Sequence, residues 1–313
     1  MLSDKALTFT LIAFCALMLF WVFSSKEQKE PDLESGDDPI IKGTNLSWGT
    51  KIDRSLLMAN LGINAIRLPV LVHPADGWCN RVDVVQKAMR ARELDLDVMI
   101  DFHYSDWLAN ADKQNKPKAW ESLSLEEIQE AVSKHTRDVL SDLRNHDVEP
   151  KWIQIGNKTS DGMLWPTGRA SESMTNYAAL HQAGYTAAKS ICPKALVMVH
   201  IDRGQEWPHL QWLLDGLRAN GAQWDMVGVS LHPEVETWQG VADACIYNLE
   251  QLVRKYDTPV MISEVGLSDE STEVFKKFTE YLLYKGKGMN TAAQKKVFHG
   301  LFYWKSQLKE VLI

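Results

Sequence analysis

Trp152-Ile153-Gln154-Ile155-Gly156-Asn157-Lys158-Thr159-Ser160-Asp161-Gly162-Met163-Leu164-Trp165-Pro166 is the stretch that decides the fold. Trp152 to Ile155 reads as a short apolar strand that delivers the chain straight into a polar, glycine-bearing loop. The same arrangement recurs on both sides. Strand candidates are Ile40 to Leu46, Ala65 to Val72, Asp97 to His103, Trp152 to Ile155, Ala195 to Ile201, Met226 to Leu231, Pro259 to Ser263 and Phe298 to Trp304. Amphipathic segments lie between them. Ser124-Leu125-Glu126-Glu127 is a capping box, after which Ile128, Val132, Val139 and Leu143 follow at helical spacing. Asn176 to Ile191, Pro208 to Ala219, Asp243 to Tyr256 and Ser271 to Leu283 read as further helices. Strands alternating with helices predict a closed parallel (β/α)8 TIM barrel, because right-handed crossovers place the helices outside. An open doubly wound sheet fits less well, since no Gly-rich phosphate loop follows an early strand. The connection from Leu46 to Leu56 is short, and so little chain follows Trp304 that the last helix is expected to be truncated or absent.

The chain has 313 residues, 45% of them hydrophobic. Residues 40–313 come close to the ~250 typical of one such barrel. A net charge of −7 gives no electrostatic case for nucleic acid or an anionic membrane surface. The 12 Trp exceed both the 8 Tyr and the 9 Phe. Broad indole faces pack against the apolar faces of sugar rings, so the excess suits a carbohydrate binder even with most of these Trp in the core. Cys15, Cys79, Cys192 and Cys245 show neither CxxC nor Cys/His spacing, which supports no disulfide framework and no zinc site. No cofactor is implied, and Asp269-Glu270 reads as a solvated turn rather than a metal site.

Ala6 to Phe23 is an apolar run flanked by Lys5 and Lys26, long enough to cross a bilayer. Residues 1–25 therefore read as a signal peptide or a membrane anchor, and either one implies an exported domain. Residues 26–39 are charged, contain Pro31, Gly36 and Pro39, and read as a solvated linker to the barrel of residues 40–313.

Sites in such barrels form at the C-terminal ends of the strands. Those ends carry Arg67, then Asp101, His103 and Asp106, then Asn157 and Lys158. His200 and Asp202 come next, followed by Ser230 and His232, Glu264, and Trp304 with Lys305. A lone polar group at one strand end is often structural. A run of them around the ring is hard to attribute to packing.

Asp101-Phe102-His103-Tyr104-Ser105-Asp106, with Gln114, Pro117, Ala119 and Trp120, resembles the third-strand signature of the arabinogalactan endo-β-1,4-galactanases, glycoside hydrolase family fifty-three. Ile155-Gly156-Asn157 with Asp161-Gly162-Met163-Leu164-Trp165-Pro166 resembles that family's acid/base strand. Trp224-Asp225 with Gly228 and Ser230, Ile262-Ser263-Glu264-Val265-Gly266, and Phe302-Tyr303-Trp304 resemble its last three strands. The resemblance implies a retaining double displacement on β-1,4-galactan or arabinogalactan by a monomeric protein. Glu264 takes the nucleophile's position. Asp101, His103, Tyr104, Asp106, Asn157, Trp165, His200, Asp202, His232 and Trp304 are the substrate-binding candidates. Trp165, Trp304 and the aromatics near Tyr104 are expected to line an open groove, as an endo-acting relative requires.

The departures cluster at the same mouth. Lys158 stands where the family has its acid/base Glu, and His232 where it has a Tyr that contacts the nucleophile. Pro69 and Leu71 replace Arg and Trp, Lys305 replaces a Glu, and Leu108, Asn110 and Ala111 fall in a segment that usually reads Trp-Ala-Asp-Pro. A lysine ammonium ~5 Å from Glu264 attracts it by roughly 3 kcal/mol at an effective dielectric near ~20, which predicts an ion pair and a poorer nucleophile. Three readings follow. The chain binds galactan and cleaves it poorly; or it cleaves with another acid, Glu234 or Glu236; or Lys158 forms a Schiff base with a carbonyl substrate.

Overall fold

The computed structural model describes residues 39–45, 62–267 and 272–304. Eight strands, β1 Ile41–Thr44, β2 Ala65–Val70, β3 Asp97–Phe102, β4 Trp152–Ile155, β5 Leu196–Ile201, β6 Met226–Leu231, β7 Val260–Val265 and β8 Phe298–Tyr303, close in sequence order. All pairings are parallel, and β1 pairs with β8 to shut the ring. This is the expected (β/α)8 barrel. The segments 1–25 and 26–38, the connection Leu46 to Leu56, Asp269-Glu270, Lys305 and any last helix lie outside the described residues. Among the described residues no helix is long and apolar enough to cross a membrane.

Alternation along the strands sorts side chains into two layers. Ile66, Leu68 and Val70 on β2 and Val98, Ile100 and Phe102 on β3 belong to the main core cluster, beneath the helices. Ala65, Met99, Trp152, Met198, Met226, Met261 and Phe302 fill the barrel interior. Trp152 meets Phe302 edge-to-face, with ring centroids 6.2 Å apart. The interior is thus a plug of packed side chains, and the polar residues one step further along each strand are pushed to the open end.

The described helices are α1 Arg81–Glu93, α2 Leu125–Asn145, α3 Met174–Ile191, α4 Trp207–Ala219, α5 Trp238–Tyr256 and α6 Thr272–Ala293. The capping box of α2 is formed: Glu127 N donates to Ser124 Oγ at 3.3 Å, and Ser124 N donates to Glu127 Oε2 at 2.8 Å. Helix α1 escapes the sequence reading because its buried face is only Val84, Val85, Ala88 and Ala91 together with Lys87. Its start is fixed by Asn80, whose Oδ1 accepts from Asp83 N at 2.9 Å. Helix α6 runs ten residues beyond the expected Leu283, through Gly286 and Gly288. Gly286 is a packing residue rather than a stop, because a Cβ there would stand 2.1 Å from the Phe298 ring of β8.

Candidate active site

Glu264 lies near the end of β7 and is 1% exposed. Strict alternation along β7 would continue the inward row from Met261 through Ser263 to Val265. A register shift intervenes: Val229 of β6 pairs with Ile262, but the next residue, Ser230, pairs with Glu264. The extra residue is a bulge, the device that re-aims a side chain at the rim of a barrel.

Three cationic or hydrogen-bonding groups close on the Glu264 carboxylate. Lys158 Nζ lies 2.7 Å from Oε1. His232 Nε2 lies 2.8 Å from the same oxygen, and Arg67 Nη1 donates to Oε2 at 3.1 Å. Burial alone would raise this carboxyl. The His232 hydrogen bond, the Lys158 ammonium and the Arg67 guanidinium outweigh it and hold the group well below the usual carboxylate range. Lys158 reaches across because its own backbone is left-handed, with φ of 49° just beyond β4. Its ammonium also sits 5.9 Å from the centre of the Trp304 ring. Gly266 leaves room for His232, since a Cβ there would stand 2.8 Å from the imidazole Nδ1.

Beneath this pair runs a buried polar layer centred on Arg67, which is 2% exposed. Its Nη2 donates to Asn157 Oδ1 at 2.7 Å and to Gln154 Oε1 at 3.1 Å, and faces Asp101 Oδ2 at 2.8 Å. Gln154 Nε2 in turn donates to Asp101 Oδ1. Ala109 N donates to His103 Nδ1 at 2.8 Å, so that nitrogen accepts, and Nε2 carries the hydrogen it shares with Asp101 at 3.0 Å. Asn157 Nδ2 donates to Ala109 O at 2.8 Å, tying β4 to the loop after β3. The layer is a self-satisfied network, rigid because nearly every buried donor and acceptor has a partner.

The remaining sequence candidates divide. Trp304, 37% exposed, lines the mouth beside Lys158. His200 is wholly buried one layer down, its Nδ1 3.0 Å from Asn157 Oδ1 and its Nε2 2.8 Å from Ser230 Oγ. Burial, reinforced by the nearby Arg67 charge, pushes its imidazole well below the usual value. Its Nδ1 accepts from Lys158 N at 3.2 Å, and the ring does not border the cavity. Tyr104 is a correction: a left-handed residue after β3, with φ of 48°, it turns away from the mouth. Its hydroxyl meets Thr136 Oγ1 of α2 at 2.7 Å, and its ring stacks on Phe102. Asp106 staples loops, accepting from His73 N at 3.0 Å and from Lys118 N at 2.9 Å. Trp165 donates to Asp161 O at 2.7 Å under the Arg169 guanidinium, and the half-buried Asp202 donates through its backbone to Ser160 Oγ at 2.9 Å. None of the last four lines the cavity.

That cavity, about 370 Å³, is bordered by Arg67, Asp101, His103, Asn157, Lys158, Glu264 and Trp304. Trp78, Leu108, Lys87 and Asn45, which the sequence reading did not pick out as binding residues, extend it towards β1, β2 and β3. The expected groove through Trp165 is not what forms. Gln154 was missed as well, although a lone glutamine in an apolar strand two residues from inward-facing Trp152 is a legible signal. Among the described residues no group of three or more His, Cys, Asp or Glu is placed to hold a metal ion.

A parallel barrel with a buried carboxylate, a guanidinium and an open indole gathered at its strand ends has the build of a glycosidase. Residues 42–310 match the family described as Glycosyl hydrolase family 53, and the chain belongs to that family. It is similar to an uncharacterized protein of Niallia circulans, 39% identical over 70% of this chain and 61% of that protein. It is also similar to the arabinogalactan endo-beta-1,4-galactanase of Thermothelomyces thermophilus, 32% identical over 68% of this chain and 64% of that one. The chain thus spans less than two thirds of the length of these curated relatives. Among solved structures, a fungal beta-1,4-galactanase superposes with a TM-score of 0.72 at 28% identity, over 85% of this chain and 83% of the other.

Proposed function

We propose that this chain binds β-1,4-galactan, alone or as part of arabinogalactan, and hydrolyses it poorly because Lys158 occupies the position of the proton donor. One observation carries the reading: Lys158 Nζ stands 2.7 Å from Glu264 Oε1. In a retaining glycosidase two carboxyls face each other across about 5–5.5 Å. One attacks the anomeric carbon. The other protonates the departing sugar oxygen and then draws a proton from water. An ammonium bound to the nucleophile performs neither half of the second role, and it occupies a lone pair the first role needs. Losing general acid catalysis alone costs ~10²–10⁴ in rate. Arg67, Asp101, Asn157 and Trp304 still frame a cavity suited to a sugar. The test measures wild-type affinity for purified galactan and reducing-end release on the same preparation. Binding with release far below ordinary enzyme rates is expected, whereas absence of binding rejects the reading.

Recruitment of another acid gains no support. Glu234 and Glu236 are exposed on the connection between β6 and α5, and neither borders the cavity. Schiff-base chemistry at Lys158 predicts a borohydride-stable adduct, and with the amine engaged by Glu264 none is expected. The substrate-facing roles of His103, Asn157 and Trp304 belong to this proposal, as does a monomeric state. So does export through residues 1–25 with residues 26–39 as linker, supported by the apolar run Ala6 to Phe23 and tested by cell fractionation.

A further inference from the structure

The Lys158–Glu264 contact divides the barrel mouth unequally. It joins the end of β4 to the end of β7. In a ring of sequential strands, this leaves β5 and β6 on one side and β8, β1, β2 and β3 on the other. The two sides differ. On the β5–β6 side, His200 and Ser230 are fully buried and bonded to each other, and His232 is drawn onto Glu264 Oε1 beside the lysine. The Lys158 backbone nitrogen is also tied to this side, 3.2 Å from His200 Nδ1. No residue of β5 or β6 borders the cavity. On the other side the cavity runs from Asn45 past Arg67 to Trp78 and Leu108, with Trp304 at its foot. Trp78, Leu108 and Trp304 are 36%, 40% and 37% exposed, so among the described residues the apolar faces that line the cavity lie along that side.

A polymer bound through its interior must enter the mouth on one side and leave on the other. Here the path across the centre meets the ammonium, 2.7 Å from the carboxylate and 5.9 Å from the centre of the Trp304 ring. We infer that the site takes the end of a saccharide chain. The terminal sugar abuts the Lys158–Glu264 pair over Trp304, and the next sugars run out over Trp78 and Leu108. Lys158 is then a specificity-determining residue that turns an open groove into a dead end. This inference rests on the reading of the site as a galactan binder and deepens it.

End-binding and internal binding differ in stoichiometry. The experiment titrates the wild-type protein calorimetrically with β-1,4-linked galactose oligomers of increasing length and with long galactan of known chain concentration. One protein per chain at every length is the expected result. A number of proteins per chain that rises in proportion to length would overturn the inference while leaving the galactan-binding reading intact. Absence of binding at every length, by heat at two temperatures, would remove both. Lys158→Ala takes away the bar, and its count on long galactan should rise above one per chain. A count that stays at one would show that Lys158 does not close the groove. The wild-type series does not depend on the variant folding, and borohydride-reduced chains tell which end is held.

Discussion

At the scale of single residues, Lys158 sets the chemistry of the mouth. The Lys158 ammonium comes closer to Glu264 than the ~5 Å expected of facing groups, and it shares Oε1 with His232. Stripping a buried charge of all partners costs about 3–5 kcal/mol. Lys158→Met leaves His232 and Arg67 in place, so chemical denaturation should show a loss of only about 1–2 kcal/mol. A loss near zero would mean the pair is not formed in solution. Glu264 also writes itself into the pH dependence. Its folded pKa lies below the unfolded value, so its stabilisation is complete above about pH 4.5 and is lost as the pH falls through the folded pKa. Glu264→Gln should therefore have a flatter stability profile below pH 4 than wild type, while an identical acid limb would contradict the depressed carboxyl. The sequence made this pair visible because resemblance put Lys158 and Glu264 in facing positions. It could not show that Arg67 would reach the carboxylate, since that depends on how β2 and β7 stand opposite each other at the rim.

At the scale of elements, the strands were legible and the exceptions have causes. Apolar runs between turn signals gave β4 and β6 to the residue, because each is buried on both faces. The bulge that brings Glu264 inward is not legible in the sequence, since the extra residue, Ser263, sits in the strand run Val260–Val265 without any turn signal. Helix α1 was overlooked for its alanines and charges, and α6 was cut short by glycines that serve packing. The resemblance to an endo-acting family makes Tyr104 and Trp165 ligand-facing candidates, yet left-handed backbone at Tyr104 turns it beneath α2. Helix α3 carries a further consequence. His181 is fully buried, with Nε2 3.1 Å from Gln223 O and Nδ1 without a partner, and burial pushes its imidazole down to about 4. A base whose folded pKa is lowered destabilises the fold as the pH falls from about 6.5 towards 4, by up to about 1.4 kcal/mol per pH unit, because the unfolded chain takes up the proton first. His181→Gln keeps a donor for Gln223 O and removes the titration. Its melting temperature should fall less than that of wild type between pH 6.5 and pH 4.5, and parallel curves would refute this role.

At the scale of the whole molecule, the barrel separates what holds the fold from what acts on a ligand. The interior plug of Met99, Trp152, Met198, Met226, Met261 and Phe302 is independent of the residue at position 158. The polar layer around Arg67 is bonded mostly within itself, with Nη1 reaching Glu264 and Nε left without a hydrogen-bond partner. A lysine at the mouth therefore leaves fold and cavity standing, which is the condition the proposed binding without cleavage requires. Replacing Lys158 with glutamate restores a carboxyl opposite Glu264, and the neighbouring carboxylate raises its pKa towards that of a working general acid. The most direct measurement is the rate of reducing-end release from purified β-1,4-galactan by Lys158→Glu and by wild type, prepared and assayed side by side. A rise of at least ~10-fold, about 1.4 kcal/mol of barrier, is predicted for the variant. Wild-type release at ordinary enzyme rates of ~1–10³ per second, with no gain from Lys158→Glu, would contradict it.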